Sequence, residues 1–386
     1  MRVKSIGSAL PIGYAVLRAL CIGLVSAVAA TIGGLATAAD LDYGKPGDPV
    51  KLVVGYQPYA TLTWDGAVAR KKEYWKKYLP AGSTVEFQIG LTGPVIVNQM
   101  LAGKQQMGYL GDSPSIIATT KQDVADIRLV AVIDQDNLCH IVVVRADAPK
   151  FKNFKEALQW LNGKQVAAPF GSCADRFARD VMQRENIKPA AYLNQGLEVI
   201  ATGYRAGKLD ASFQWEPTTA KMVQEGLARV IASGEDFDAW DNCYVAMRAD
   251  LIKQRPDIVK AMLNAELDAQ LFMADPKNAN EVVNIVAEQV TGFTKKALWH
   301  SLYGTYPEIK YKSDVRMSLP FVFTPDVRGS VGRVATFLHS IKAINVEKVR
   351  PEAVVPEFAE QVLKERGLKS PIGNIRAQPD ANFRGN

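Results

Sequence analysis

A strand that runs into a tight glycine–serine turn and then directly into a helix leaves few choices about its surroundings. Residues Val166–Arg179, VAAPFGSCADRFAR, have that order. The apolar run Val166, Ala167, Ala168 breaks at Pro169-Phe170-Gly171, and Ser172 opens a segment whose Phe177 and Val181-Met182 recur at helical spacing. Such a junction aims several unpaired backbone N–H groups, and the positive end of a helix dipole, at one point. That point is a seat for an anion. The competing reading is that Ser172 only caps its helix.

The rest of the chain must supply a second wall and an address. Its 386 residues, 48% hydrophobic and 22% charged, suit two globular domains. Residues 1–39 stand apart. Arg2, Lys4 and Arg18 precede the apolar run Ala19–Leu35, which ends in Ala36-Thr37-Ala38-Ala39. This is the layout of a secretory signal peptide, with cleavage after Ala38 or Ala39. Its loss removes three positive charges from a formal net charge of +6. The remainder carries no basic run of the nucleic-acid kind and nothing apolar enough to span a bilayer. An exported, periplasmic monomer is expected, with no nucleic acid as partner. Of its cysteines, Cys139, Cys173 and Cys243 remain, enough for one disulfide at most. Three separate, half-buried thiols are the favoured reading.

Along the chain, strands at 50–56, 85–90, 107–110, 127–133 and 140–144 are interleaved with helices at 67–78, after Thr92-Gly93-Pro94, and from Asp112. The pattern restarts after Arg145. Asn153 and Glu156 form a capping box before a helix, strand 165–168 leads to the helix after Ser172, and a helix at 197–206 precedes strand 211–214. After a return strand at 242–247 the chain is mostly helical, near 257–272, 279–289, 294–302 and 330–342. The tail from Ser370 is expected to be disordered. Alternation of this kind indicates parallel α/β sheets. One unit occurs in both halves. Ala102-Gly103-Lys104 leads through a strand to Asp112, and Ala206-Gly207-Lys208 leads through a strand to Glu216. Each acid is followed within two residues by a proline that opens a helix. In open α/β sheets, strand ends and helix starts line the ligand crevice.

This layout resembles the type II periplasmic solute-binding proteins, and within them the nitrate/sulfonate/taurine family of ABC-importer binding proteins. The residues that carry the resemblance are Val53-Val54-Gly55-Tyr56, Gly93-Pro94 and Gly111-Asp112-Ser113-Pro114. In the second half they are Gly171-Ser172, Ala206–Ala211 and Trp215-Glu216-Pro217. Aliphatic-sulfonate and taurine binders commonly have Ser or Thr where Cys173 stands, Asp where Glu216 stands, and often His where Asp175 stands. The resemblance implies a two-lobed fold, two parallel-rich sheets flanked by helices, with a hinge and a central cleft. The expected organisation is lobe 1 at 48–145, lobe 2 at 146–241, a return to lobe 1 with C-terminal helices at 242–345, and an extension at 346–386. It further implies a small anionic solute, here sulfonate- or taurine-like, delivered to a membrane-embedded ABC permease with its ATPase. Nitrate or an aromatic carboxylate is the alternative solute. An enzyme like the thiamine-pyrimidine synthases is the rival class, against which the chain shows no cysteine cluster.

The expected site combines Ser172, Cys173 and Ala174 as backbone donors with Arg176 as the charged partner of a sulfonate or carboxylate. Thr92 and Gly93 form the facing helix start. Asp112 with Ser113, and Glu216, either receive a substrate amine or cap helices. Tyr56, Gln57, Trp64 and Trp215 are candidate walls for an apolar ligand body. His140, His300 and His339 lack metal-ligand spacing, and no Walker or dinucleotide loop occurs. No catalytic residue, metal or cofactor is expected.

Overall fold

The computed structural model describes residues 41–385. The expected signal peptide lies outside the described residues. Twelve strands form two sheets: β1 Lys51–Tyr56, β2 Thr84–Ile89, β3 Met107–Leu110, β4 Ile127–Asp136, β5 Ile141–Arg145, β6 Gln165–Ala168, β7 Ala191–Asn194, β8 Ala211–Gln214, β9 Ala228–Ser233, β10 Asp241–Arg248, β11 Val315–Leu319 and β12 Gly373–Arg376. A seven-stranded sheet runs β12-β11-β4-β10-β3-β1-β2, and a five-stranded sheet runs β7-β6-β8-β5-β9. Each is the centre of one lobe.

The helices that matter to the site are α1 Trp64–Lys72, α2 Gly93–Leu101, α3 Asp112–Thr119, α4 Phe154–Trp160, α5 Cys173–Arg184, α6 Leu197–Arg205 and α7 Thr218–Gln224. Strand β5 shows why the second lobe has helices on both faces. Its β-branched run alternates with period two. Val142 and Val144 enter a core with Phe177 and Ala178 of α5, while Ile141 and Val143 enter another with Ile200 and Tyr204 of α6. A strand buried on both faces reads as a continuous apolar run, as this one does. In the first lobe, Leu263 and Leu267 of the long helix Pro256–Ala274 join one apolar cluster with Val54 of β1 and Val245 of β10.

Four expectations need correction. The sheets are mixed rather than parallel-rich: β1 pairs in parallel with β2 and β3, but β10 runs antiparallel to both β3 and β4. In the second sheet β6 pairs in parallel with β7 and β8, and β5 runs antiparallel to β8 and β9. The antiparallel strands flank the two inter-lobe crossings, which lack the helical crossover that a parallel neighbour requires. Strand 141–145, expected in lobe 1, belongs to the second sheet, so the first crossing falls at 137–140 and the return at 234–240. The tail from Ser370 is ordered. β12 pairs antiparallel with β11, and Ile375 is buried. The expected helix 67–78 is α1 followed, after Glu73 at φ +50°, by the short 3-10 helix Tyr74–Lys77.

Candidate functional site

Three helices start at one place. Thr92 is the N-cap of α2, Gly111 of α3 and Ser172 of α5, all three in extended backbone. The first two belong to the seven-stranded lobe and the third to its opposite. Ser172 accepts from the Asp175 N–H at 3.2 Å while its hydroxyl donates to Pro169 O at 2.6 Å. It is a cap, and the first-turn N–H groups of Cys173 and Ala174 have no partner within their helix. The lobes touch here. A Cβ on Gly171, at φ +77°, would stand 3.4 Å from Pro94, and one on Gly93 would stand 2.4 Å from Pro114, so glycine is required where α2 meets α3.

Between these starts lies a cavity of about 20 Å³, lined by Gln57, Ala60, Leu62, Gly93, Gly111, Pro114, Cys139, Ser172, Cys173 and Trp215. That is room for about one water, so an organic solute enters only when the lobes part. Trp215 Nε1 donates to Tyr59 O at 3.2 Å, and the Thr61 N–H donates to Glu216 O at 2.9 Å, closing one side. A larger groove of about 1350 Å³ lies between α5 and the helix Pro325–Ser340. On its rim Arg184 pairs with Asp180, Arg350 pairs with Asp126 outside the groove, and Arg176 reaches its inner wall.

Behind the small cavity a buried charge network crosses between the lobes. Arg176 of α5 pairs with Asp112 of α3 at 2.6 Å. The same guanidinium nitrogen lies 2.9 Å from His140 Nε2, and His140 Nδ1 lies 2.9 Å from Ala239 O. A carbonyl only accepts, so Nδ1 carries the proton and Nε2 accepts from Arg176. Burial, reinforced by Arg176, pushes His140 down to about 3. Burial also pushes Asp112 up, but Arg176 foremost, together with His140 and a hydrogen bond with Asp241, holds the carboxyl below its ordinary range. Asp134 and Asp241 are pushed well up by burial and by neighbouring carboxylates, and Asp136 is raised by burial to about 7. Donor atoms of Asp112, His140 and Asp241 lie within 4.8 Å of one another, spacing that a metal ion could use. The guanidinium of Arg176 supplies the positive charge at that point.

Of the sequence-predicted residues, Gln57, Gly93, Ser172, Cys173 and Trp215 line the cavity. Thr92 is the half-buried cap beside it. Asp112, Ser113 and Arg176 stand one layer behind, with the Ser113 hydroxyl donating to Asp112 at 2.9 Å. The others stand elsewhere. Trp64 is fully buried and donates to Pro58 O at 3.0 Å, Tyr56 donates to Gln289 at 3.0 Å, and Ala174 is core. Glu216 accepts from the Ala220 N–H at 3.0 Å and from the Tyr306 hydroxyl, and burial raises it to about 7. It anchors the start of α7. Cys173 is not a separate thiol. It forms a disulfide with Cys139, with Cα atoms 6.2 Å apart, while Cys243 is free and buried. Sequence reasoning missed Ala60, Leu62, Gly111, Pro114 and Cys139 as lining residues. The pairing signal lay in Cys139 preceding β5 and Cys173 following β6, the two ends brought together only by the sheet.

Residues 45–287 match the NMT1-like family. The chain is 25% identical over 233 residues to the taurine-binding periplasmic protein of Escherichia coli (strain K12), covering 59% of this chain and 68% of that one. Among solved structures it resembles the alkanesulfonate-binding protein SsuA from Xanthomonas axonopodis pv. citri bound to MOPS. There the identity is 17%, the coverage 81% of this chain and 99% of that one, and the TM-score 0.63. The periplasmic nitrate-binding protein NrtA from Synechocystis PCC 6803 gives 13%, 86%, 93% and 0.66 for the same quantities. The desulfurization enzyme DSZB gives 15%, 82%, 99% and 0.58, so the fold serves catalysis as well as binding. Among the described residues no helix is long and apolar enough to cross a membrane.

Proposed function

The chain belongs to the NMT1-like family, and on that premise we propose that it is the extracytoplasmic solute-binding component of an ABC importer. Its solute is a small organic anion, sulfonate- or taurine-like, held between the lobes. One observation supports this most strongly: helix starts from both lobes face a single hollow that also contains the capping Ser172. Unpaired N–H groups and dipole-positive helix ends favour negative charge there. Opening and closing about the crossings at 137–140 and 234–240 is hinge motion around the ligand. In this reading the leader at 1–39 exports the chain to the periplasm, and the closed lobes present the solute to a membrane-embedded permease with its ATPase. Binding rather than catalysis is favoured because Cys173, the best-placed nucleophile at a helix start, is tied up in a disulfide.

Thermal melting of the mature chain against taurine, propane-1-sulfonate, nitrate and benzoate tests the reading. A ligand at about 100 times its Kd adds about 2.7 kcal/mol to the folded state, so a sulfonate raises Tm. A panel in which no anion moves Tm refutes it.

A further inference from the structure

One wall of the hollow holds a second chemistry. Cys139, in the crossing at 137–140, and Cys173, at the start of α5, both line it. Asp241, the first residue of β10, reaches the two sulfurs without lining the hollow itself. A carboxylate oxygen of Asp241 and both Sγ atoms lie within 4.8 Å of one another, and all three residues are buried. Among the described residues no N–H or hydroxyl donates to Asp241 Oδ2. Its carboxyl neighbour there is Asp112, another acid, and Asp112 takes Arg176 for itself. A buried oxygen left in that position is costly and short of a cation. A Cβ on Gly111 would stand 3.4 Å from Cys173 Sγ and 3.8 Å from Asp241 Oδ2, so glycine keeps the gap between sulfur and carboxylate open.

Two thiolates and a carboxylate suit zinc, which commonly takes three protein ligands and leaves a fourth position open. A disulfide sulfur carries no charge and is no such ligand, so the set exists only when the Cys139–Cys173 bond is open. We propose that the reduced pair, with Asp241, forms a zinc site whose ligands come from the crossing, the second lobe and the first. A dithiol reductant passes two electrons and two protons to the bond and leaves as its own disulfide. Zn²⁺ then displaces the protons of the two thiols and of Asp241, forming two Zn–S bonds and one Zn–O bond. Around a tetrahedral zinc with Zn–S of about 2.3 Å the sulfurs stand about 3.8 Å apart. Side-chain rotation reaches that separation, because the Cα atoms are already 6.2 Å apart. The hollow beside them, about 20 Å³, has room for about one water, the usual occupant of the fourth position.

Cobalt takes the place of zinc with a visible signature, so Co²⁺ titration of the mature chain, reduced with a phosphine and freed of it under nitrogen, tests the site. One Co²⁺ per chain should bind, with thiolate-to-cobalt charge-transfer absorption and tetrahedral d–d bands, and Zn²⁺ should bleach both. The oxidised chain should show neither. Zn²⁺ should also raise the Tm of the reduced chain and leave that of the oxidised chain where it is. Asp241→Asn keeps the shape of the side chain and should weaken Zn²⁺ binding by about tenfold or more. Cys243→Ala removes the remaining thiol and should leave spectrum and affinity unchanged. A reduced chain with no charge-transfer band and no zinc-dependent Tm overturns the proposal. So does equal loading of the oxidised chain, a folded Asp241→Asn variant with wild-type affinity, or loss of the band in folded Cys243→Ala. The anion-binding reading stands or falls separately, because it is measured on the oxidised chain without metal.

Discussion

Replacing Arg176 with methionine isolates the strut between the lobes. The substitution keeps the length of the side chain and removes the charge that faces Asp112 at 2.6 Å. In the wild-type chain Asp112 is ionised both folded and unfolded near neutral pH, because Arg176 holds it below its ordinary range. Without Arg176 the buried carboxylate retains only Ser113 and Asp241 as side-chain hydrogen-bond partners and no counter-charge, so burial raises it and it takes up a proton. The unfolded chain still releases that proton near pH 4. The folded variant therefore binds one more proton than its unfolded form, and its stability falls by about 1.4 kcal/mol per pH unit above that point. Between about pH 5 and about pH 7.5 the penalty grows by about 3 kcal/mol. Recovery of the guanidinium's own desolvation cost shifts the absolute loss but not this slope. Urea unfolding of both proteins at the two pH values measures it, and adding Asp112→Asn to the variant should abolish the pH dependence. A penalty that changes by less than about 1 kcal/mol between them would refute the buried pair.

Further outcomes follow from other parts of the site. Mass spectrometry after alkylation in denaturant should find one modified cysteine in the mature chain, Cys243, and three after reduction; three without reductant would remove the Cys139–Cys173 bond. Reduction should also lower stability by about 4 kcal/mol for a loop closed across a separation of 34 residues, and a loss below about 1 kcal/mol would contradict that. Gly93→Ala forces a methyl to 2.4 Å from Pro114 and should weaken sulfonate binding at least as much as it lowers Tm; wild-type affinity would show that α2 does not form the wall. Asp136 and Glu216 titrate near 7 when folded and near 4 when unfolded, so each favours the folded state as pH falls from about 7 toward 5. His140 and His300, both lowered by burial, oppose this below about pH 6.5, against Asp136 and Glu216 and the likewise raised Asp134 and Asp241. Tm at about pH 5.5 should exceed Tm at about pH 7.5, and the reverse order would count against the buried carboxyl cluster.

Much of the site could be read because it is built from local signals. The glycine–serine junction after β6, the proline after Gly93 and the acid–proline pairs are properties of a few adjacent residues, and they mark where helices start. What adjacent residues do not encode is partnership. Arg176 reads as a free ligand-binding cation because nothing near it in sequence announces Asp112, which lies on the other lobe. Trp64 and Tyr56 read as cleft aromatics, but tertiary packing directs both into the first lobe's core. The crossing at 137–140 is not legible locally because β5 is apolar on both faces, which says that it is central but not in which sheet. The tail from Ser370 is polar and rich in turn formers, yet strand pairing with β11 orders it, a contact no local pattern carries.

The account rests on an anion shared by helix starts from both lobes, and a crystal structure of the mature chain with propane-1-sulfonate tests that most directly. It should show the sulfonate oxygens within hydrogen-bond distance of the Cys173 N–H at the start of α5, with Gly93 on the facing side. A sulfonate seated instead in the groove between α5 and the helix Pro325–Ser340, or bound to one lobe alone, would contradict it.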